Sequence, residues 1–258
     1  MQLATIALLS AVLAQAALPD PTVTQSGLSV TSQRDPAITL RVADGFAPLR
    51  PIVLSLPSTD VDRRVFVEAD ALKRIQRMVV FQFERVRGGS SFQFVYPAKP
   101  PFTFGSDAYR IGTYVYDDAA AAKASPGFEA AVTRETLESD GYLVPRFLRT
   151  VRLARVADSN GLSEIIIFYF ENADPDFPSG TLVGADSDGD LPITGSASAA
   201  LVTRFESAAS YSSSRSSSAV SPAAFRIDAS VPVFSSLSCI GTVTNLPSPC
   251  LKSACEPD

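Results

Sequence analysis

The residues best suited to chemistry in this chain are carboxylates. The stretch "GADSDGD", residues 184–190, sets Asp186, Asp188 and Asp190 at alternate positions. Clustered hard oxygen donors of this kind are what a calcium ion requires. Glu171, Asp174 and Asp176 precede them, so residues 171–190 hold six acids and no base. The spacing departs from an EF-hand loop, which needs Gly at position 6 and a bidentate Glu at position 12. Counted from Asp186, those positions are Leu191 and Ala197. A solvated turn is the default expectation, because Asp favours turns through hydrogen bonds to its own backbone. Calcium on Asp186, Asp188 and Asp190 is the alternative, and no other cofactor is expected.

Glu84 and Glu164 form a second candidate. Both fall within apolar strand patterns, where burial raises a carboxyl pKa as a general acid requires. Ion pairing to neighbouring arginines is the commoner fate, and nothing in the sequence brings the two together. The other constellations are cationic and aromatic. Arg146, Arg149, Arg152 and Arg155 lie within ten residues; on a strand they divide between the two faces, so pairing with the acidic 171–190 segment outweighs an anion site. Ten of 23 aromatics fall between Phe81 and Tyr116. A packed core accounts for them more simply than an apolar ligand cavity does.

Absences narrow the chemistry further. The chain has no histidine, which rules out Ser-His-Asp and Cys-His catalysis and histidine-ligated metals. The residues three before Lys73, Lys99, Lys123 and Lys252 are Asp70, Tyr96, Ala120 and Pro249, so no Ser-x-x-Lys motif is present. No Gly-rich phosphate loop occurs. Carboxylate chemistry of the glycosidase kind survives, weakened by the lack of tryptophan to stack on sugar. A net charge of −5 gives no general attraction to nucleic acid.

The elements that must position these groups are mostly strands. Residues 28–67 carry short alternations, "LSV", "AITLRV", "PIVLSL" and "VFV", broken by Pro and Gly. Within them Asp62-Arg63-Arg64 reads as an exposed turn, with dibasic processing the rarer alternative. In "IQRMVVFQFERVR" Ile75, Val79, Phe81 and Phe83 share one face, and Gln76, Met78, Val80, Gln82 and Glu84 the other. Arg87-Gly88-Gly89-Ser90 then predicts a hairpin into Phe92, Phe94 and Tyr96. "AYRIGTYVYD" is a further strand. A single main helix follows, with Ser125 as cap, Pro126 in its first turn and Gly141 at its end. "PRFLRTVRLARVA" and "LSEIIIFYFEN" form a hairpin around Asn160-Gly161, and the second, apolar on both faces, belongs at the centre of a sheet.

The fold class expected is α+β: an antiparallel sheet with one main helix packed on a face, a β-rich N-terminal section and a disulfide-stapled C-terminal tail. The chain's own N-terminal strands or C-terminal segment should cover the other face. The opening run from Leu3 and the Ala14-Gln15-Ala16 site mark residues 1–16 as a secretory signal, so the protein is expected to be extracellular, or periplasmic in a bacterium, with no integral membrane segment after its removal. Residues 17–195 form the α+β domain. Residues 196–222, rich in Ser and Ala, read as a linker or exposed loop. Residues 223–258 carry terminal strands and Cys239, Cys250 and Cys255, two of which pair in an oxidising compartment. The functional expectation is a secreted, non-enzymatic protein binding a small ligand or a protein partner. Its rivals are a carboxylate-dependent extracellular hydrolase and a calcium-steadied structural or surface protein.

Overall fold

The computed structural model describes residues 22–34, 36–96, 101–178, 180–182 and 189–213. The signal segment, Asp186 and Asp188, the three cysteines and the terminal strands expected after 223 lie outside the described residues.

The architecture is antiparallel β-sheet with a few helices. Strands β1 (Val23–Ser26), β2 (Ser29–Ser32) and β3 (Ile38–Val42) form a meander. The short β4 (Ala47–Pro48) and β5 (Ile52–Ser55) lead into the long strands β6 (Thr59–Ala69) and β7 (Ile75–Val86). Next come β8 (Phe102–Phe104), β9 (Asp107–Asp117), α1 (Asp118–Ala124) and α2 (Glu129–Ser139). The hairpin β10 (Phe147–Val156) and β11 (Ser163–Asn172) follows, then β12 (Leu191–Pro192), α3 (Gly195–Ala208) and β13 (Ala209–Ser213). The main sheet runs β12-β9-β10-β11-β7-β6-β4, with β5 also on β6 and β8 also on β9. A second sheet runs β1-β2-β3-β13.

β11 is the central strand its apolar faces imply. Ile165, Ile167 and Tyr169 point into a core shared with Val79, Phe81 and Phe66 of neighbouring strands, Val30, Ile38 and Leu40 of the small sheet, and Leu201 and Phe205 of α3. On its other face Phe170 joins Met78, Val80, Leu148 and Leu137 of α2. Three layers result: helices α1 and α2, the main sheet, then the small sheet with α3. The face away from α2 is thus covered by the N-terminal strands and a later segment, as expected of a chain that covers itself.

Five local expectations are corrected. Residues 196–213, expected within a linker or loop, lie in α3 and β13. Leu201, Val202, Phe205 and Ala208 recur at helical spacing and are buried, which supplies the apolar stripe that overall Ser/Ala content conceals. β13 then pairs with β3. Tyr211 of β13 lies against Gly105, which turns at φ +65° between β8 and β9; a Cβ there would come within 2.1 Å of the tyrosine ring. The expected hairpin from β7 into Phe92–Tyr96 does not form, because both edges of β7 are taken by β6 and β11. Phe92 and Phe94 instead stack edge to face at 5.0 Å.

The single helix is two. Asp117 caps α1 by accepting from Ala120 N, and Ser125 closes α1 rather than opening α2. Gly127 at φ +80° makes the break between the two helices. Gly141 ends α2 at φ +83°, as expected. Finally, Arg63 and Arg64 are not in a turn. Both are buried midway along β6, where no processing enzyme reaches them. Ile75 also changes sides: Ala69 pairs with Ile75 and Glu68 with Arg77, leaving Gln76 as an extra residue that reverses the alternation.

Candidate functional site

The strand registers bring the two glutamates together. Glu164 of β11 lies directly opposite Glu84 of β7, the cross-strand relation in which side chains stand nearest one another. Both belong to the face toward α2. One row along, Arg63 of β6 pairs with Gln82 of β7 and Gln82 with Ile166 of β11; in the next row Arg152 of β10 faces Phe168 of β11. The apolar half of this face, around Met78, Leu148 and Phe170, lies beneath α2. The half bearing Glu84, Glu164, Gln82, Arg63 and Arg152 is polar, although it sits on central strands.

This polar half is not sealed. Phe168 and Glu84 are only half-buried, whereas Ile165 and Ile167 on the opposite face of the same strands have no exposure. The guanidiniums of Arg63 and Arg152 each lie 5.9 Å from the centre of the Phe168 ring, within cation–π range. Tyr96 donates its hydroxyl hydrogen to Glu164 Oε2, and Gln82 Nε2 donates to Glu84 Oε1. Arg152 Nη2 reaches the Tyr96 hydroxyl at 3.5 Å.

Electrostatics follow from this arrangement. Burial raises the Glu84 carboxyl well above the usual range, reinforced by Glu164 and by Glu129 in the first turn of α2 and opposed by Gln82 and Arg152. Burial likewise raises Glu164, against the pull of Arg152 and Tyr96. Two carboxyls so placed cannot both ionise freely, so the pair retains a proton to higher pH than an exposed glutamate would. Burial lowers Arg63 from its ordinary value, while Glu129, Tyr116, Glu84 and Asp118 favour its charge. Asp118 is itself engaged by Arg134 at 2.6 Å and by the Tyr116 hydroxyl at 2.8 Å.

Beyond Tyr96 the surface opens into a cleft of about 310 Å³ lined by Tyr96, Tyr109, Arg110, Arg155 and Val156 among others. Val156 lies directly across from Glu164, so the cleft borders the glutamate pair, with Tyr96 as the shared wall. The Arg110 guanidinium stacks 5.2 Å from the centre of the Tyr96 ring, and its Nη1 is buried without a hydrogen-bond acceptor among the described residues. Arg155 is paired to Asp107 at 2.7 Å.

The remaining sequence candidates resolve separately. Arg149 pairs with Asp176, the cross-hairpin pairing expected of it, and Arg146 pairs with Asp117 at 2.7 Å. Glu171 is held by Arg204, and Asp174 accepts from the backbone N–H groups of Arg146 and Phe147. The acids grouped with the calcium candidate are therefore committed elsewhere. Asp190 is half-buried, and among the described residues no group of three Asp or Glu side chains is placed to hold a metal. Sequence reading singled out Glu84, Glu164 and Arg152 but missed Arg63, Gln82 and Arg110 as partners. The signal was a charged pair, Arg63-Arg64, lodged in an otherwise regular strand alternation.

The fold and site define an α+β protein with a polar, half-open face on an antiparallel sheet. Among known protein families, curated proteins and solved structures, none matches this chain. No helix among the described residues is long and apolar enough to cross a membrane.

Proposed function

We propose that this is an extracellular, non-enzymatic binding protein, and that the cleft beside Tyr96 receives a small acid. The observation that carries the reading is Arg110: a guanidinium stacked on an aromatic wall, with one nitrogen buried and unsatisfied. Such a donor favours a carboxylate, sulfonate or phosphate oxygen, and Tyr96 and Pro101 offer apolar surface to the body of the ligand. The apolar opening run and its small-x-small site support secretion.

Calorimetric titration of the mature protein with aromatic carboxylates, sulfonates and phosphate esters tests this. Saturable binding that Arg110→Gln weakens about tenfold or more is expected, the worth of one charge-assisted hydrogen bond. Equal affinity in the variant would overturn the reading.

One observation favours a second reading, the carboxylate-dependent hydrolase: Glu84 and Glu164 face each other with raised pKa values. The binding reading ranks above it because Tyr96 and Gln82 each already engage one oxygen of the two carboxyls. Turnover of a glycan panel that disappears in both Glu84→Gln and Glu164→Gln would reverse that order.

A further inference from the structure

A single side chain, Tyr96, touches both the cation of the cleft and the glutamate pair. It lines the cleft, and the Arg110 guanidinium stacks 5.2 Å from the centre of its ring. Its hydroxyl donates to Glu164 Oε2. Glu164 stands directly opposite Glu84 on one neighbouring strand and directly opposite Val156, another residue of the cleft, on the other. Arg110 and the carboxyls are therefore joined step by step: guanidinium to ring, hydroxyl to Glu164, Glu164 across from Glu84.

An anion seated at Arg110 must feel the charge on that pair. Glu164 is 3% exposed, so little water screens it from the cleft it borders. With both carboxyls ionised, two negative charges oppose a third beside them; each proton the pair takes up removes part of that opposition. The groups around the pair come from every neighbouring element. Arg152 of β10 reaches the Tyr96 hydroxyl at 3.5 Å, Arg63 of β6 lies beside Gln82 in the register, Gln82 of β7 donates to Glu84, and Glu129 of α2 bears on both glutamates electrostatically. Burial within this set holds protons on the opposed carboxyls above the range of an ordinary glutamate.

We propose that acid capture in the cleft is controlled by the opposed glutamates: an anion at Arg110 binds tightly while Glu84 and Glu164 hold their protons and is released as they ionise. The proposal rests on the reading of the cleft as an acid site and adds its regulation. By linkage, the bound anion must in turn draw a proton from solvent onto the pair.

Benzenesulfonate is the probe, because it stays an anion throughout and cannot itself supply a pH dependence. Calorimetric titration of the full-length mature protein from about pH 5 to about pH 9 should show affinity falling about tenfold, the order expected of one unit charge about 10 Å away at an effective dielectric of about 20. Titration in buffers of different ionisation enthalpy should show fractional proton uptake with each anion bound. Glu84→Gln alone should move the dependence to lower pH, and Glu84→Gln combined with Glu164→Gln should bind at the tight level at every pH. Affinity that is flat or rises with pH, or a wild-type slope kept in the double variant, overturns the proposal and leaves the cleft reading standing. Failure of benzenesulfonate to saturate the protein, or binding that Arg110→Gln does not weaken, removes the acid site and its control together. The proton count on the wild-type protein decides the matter even if neither glutamate variant folds.

Discussion

Arg63 and Arg64 are neighbours on β6 and point to opposite faces of the main sheet. Arg64 lies in the core between the two sheets, 4% exposed, with Nε 2.7 Å from Asp62 Oδ1 and Nη2 donating to Asp62 Oδ2 and to Val23 O. Its charge is matched by Asp62 and its Nη2 is hydrogen-bonded, although Nε, close to the carboxylate, is not aligned for a hydrogen bond, and it ties the first strand of the small sheet to the main sheet. Arg63, 5% exposed, has the Phe168 ring and charges held at a distance. Equal burial therefore carries opposite meanings on the two faces. Where polar groups are satisfied, the buried charge is architecture; where they are left open, the fold retains a cost.

The largest expected effects separate these two arginines. Arg64→Met removes the guanidinium from a buried carboxylate and should cost about 3–5 kcal/mol in chemical denaturation. Arg63→Met replaces an unmatched charge by an apolar chain of similar length and should be neutral or stabilising. Equal losses in the two variants would erase the distinction. Next comes Leu201→Ala in α3, which should cost about 2–5 kcal/mol because Leu201 is 1% exposed in the core under Arg64's face. A loss below about 0.5 kcal/mol would instead mean that the segment behaves as the linker its composition suggests.

That segment shows what the sequence could and could not reveal. β9, β10 and β11 announce themselves by alternation, and the two apolar faces of β11 place it centrally, because period and burial are local properties. The hairpin from β7 into Phe92 was not excluded locally; it fails because β6 and β11, distant in sequence, occupy both edges of β7. α3 was hidden because four apolar residues at helical spacing are diluted by Ser, Ala and Thr in any compositional average. Glu84 and Glu164 were recognisable as buried acids, but their meeting depends on a register fixed across a separation of 80 residues in the chain. Arg63 looked exposed because charged pairs usually are, and only the neighbouring strands show otherwise.

The glutamate pair sharpens the comparison through pH. Glu84 binds its proton more tightly when folded than the roughly 4.3 of an unfolded glutamate would allow. Between that value and the raised folded one, the native state holds more protons than the unfolded state, so this group's contribution to stability falls as pH rises through the window. Glu84→Gln removes the dependence. Its stability should approach the wild type near pH 4 and exceed it at neutrality, by urea denaturation across pH. A difference that grows on acidification instead would mean that Glu84 is stabilised as a carboxylate, like Arg64's partner.

The smallest effect concerns an arginine outside both regions. Arg204 of α3 makes a two-pronged contact with Glu171, Nε to Oε1 at 2.6 Å and Nη2 to Oε2 at 2.9 Å, with its own side chain 46% exposed. Burial tends to raise the Glu171 carboxyl, but hydrogen bonds from Arg204 and Tyr169 prevail and hold it below the usual range. Geometry alone would rank this pair with Arg64 and Asp62. Solvent access should reduce it, because water already satisfies an exposed guanidinium and salt screens what remains. Arg204→Ala should therefore cost about 0.2–1 kcal/mol at low ionic strength, and most of that loss should vanish in molar salt. A penalty near that of Arg64→Met, persisting in salt, would show that contact geometry, and not the side of the sheet on which an arginine is buried, sets its worth in this fold.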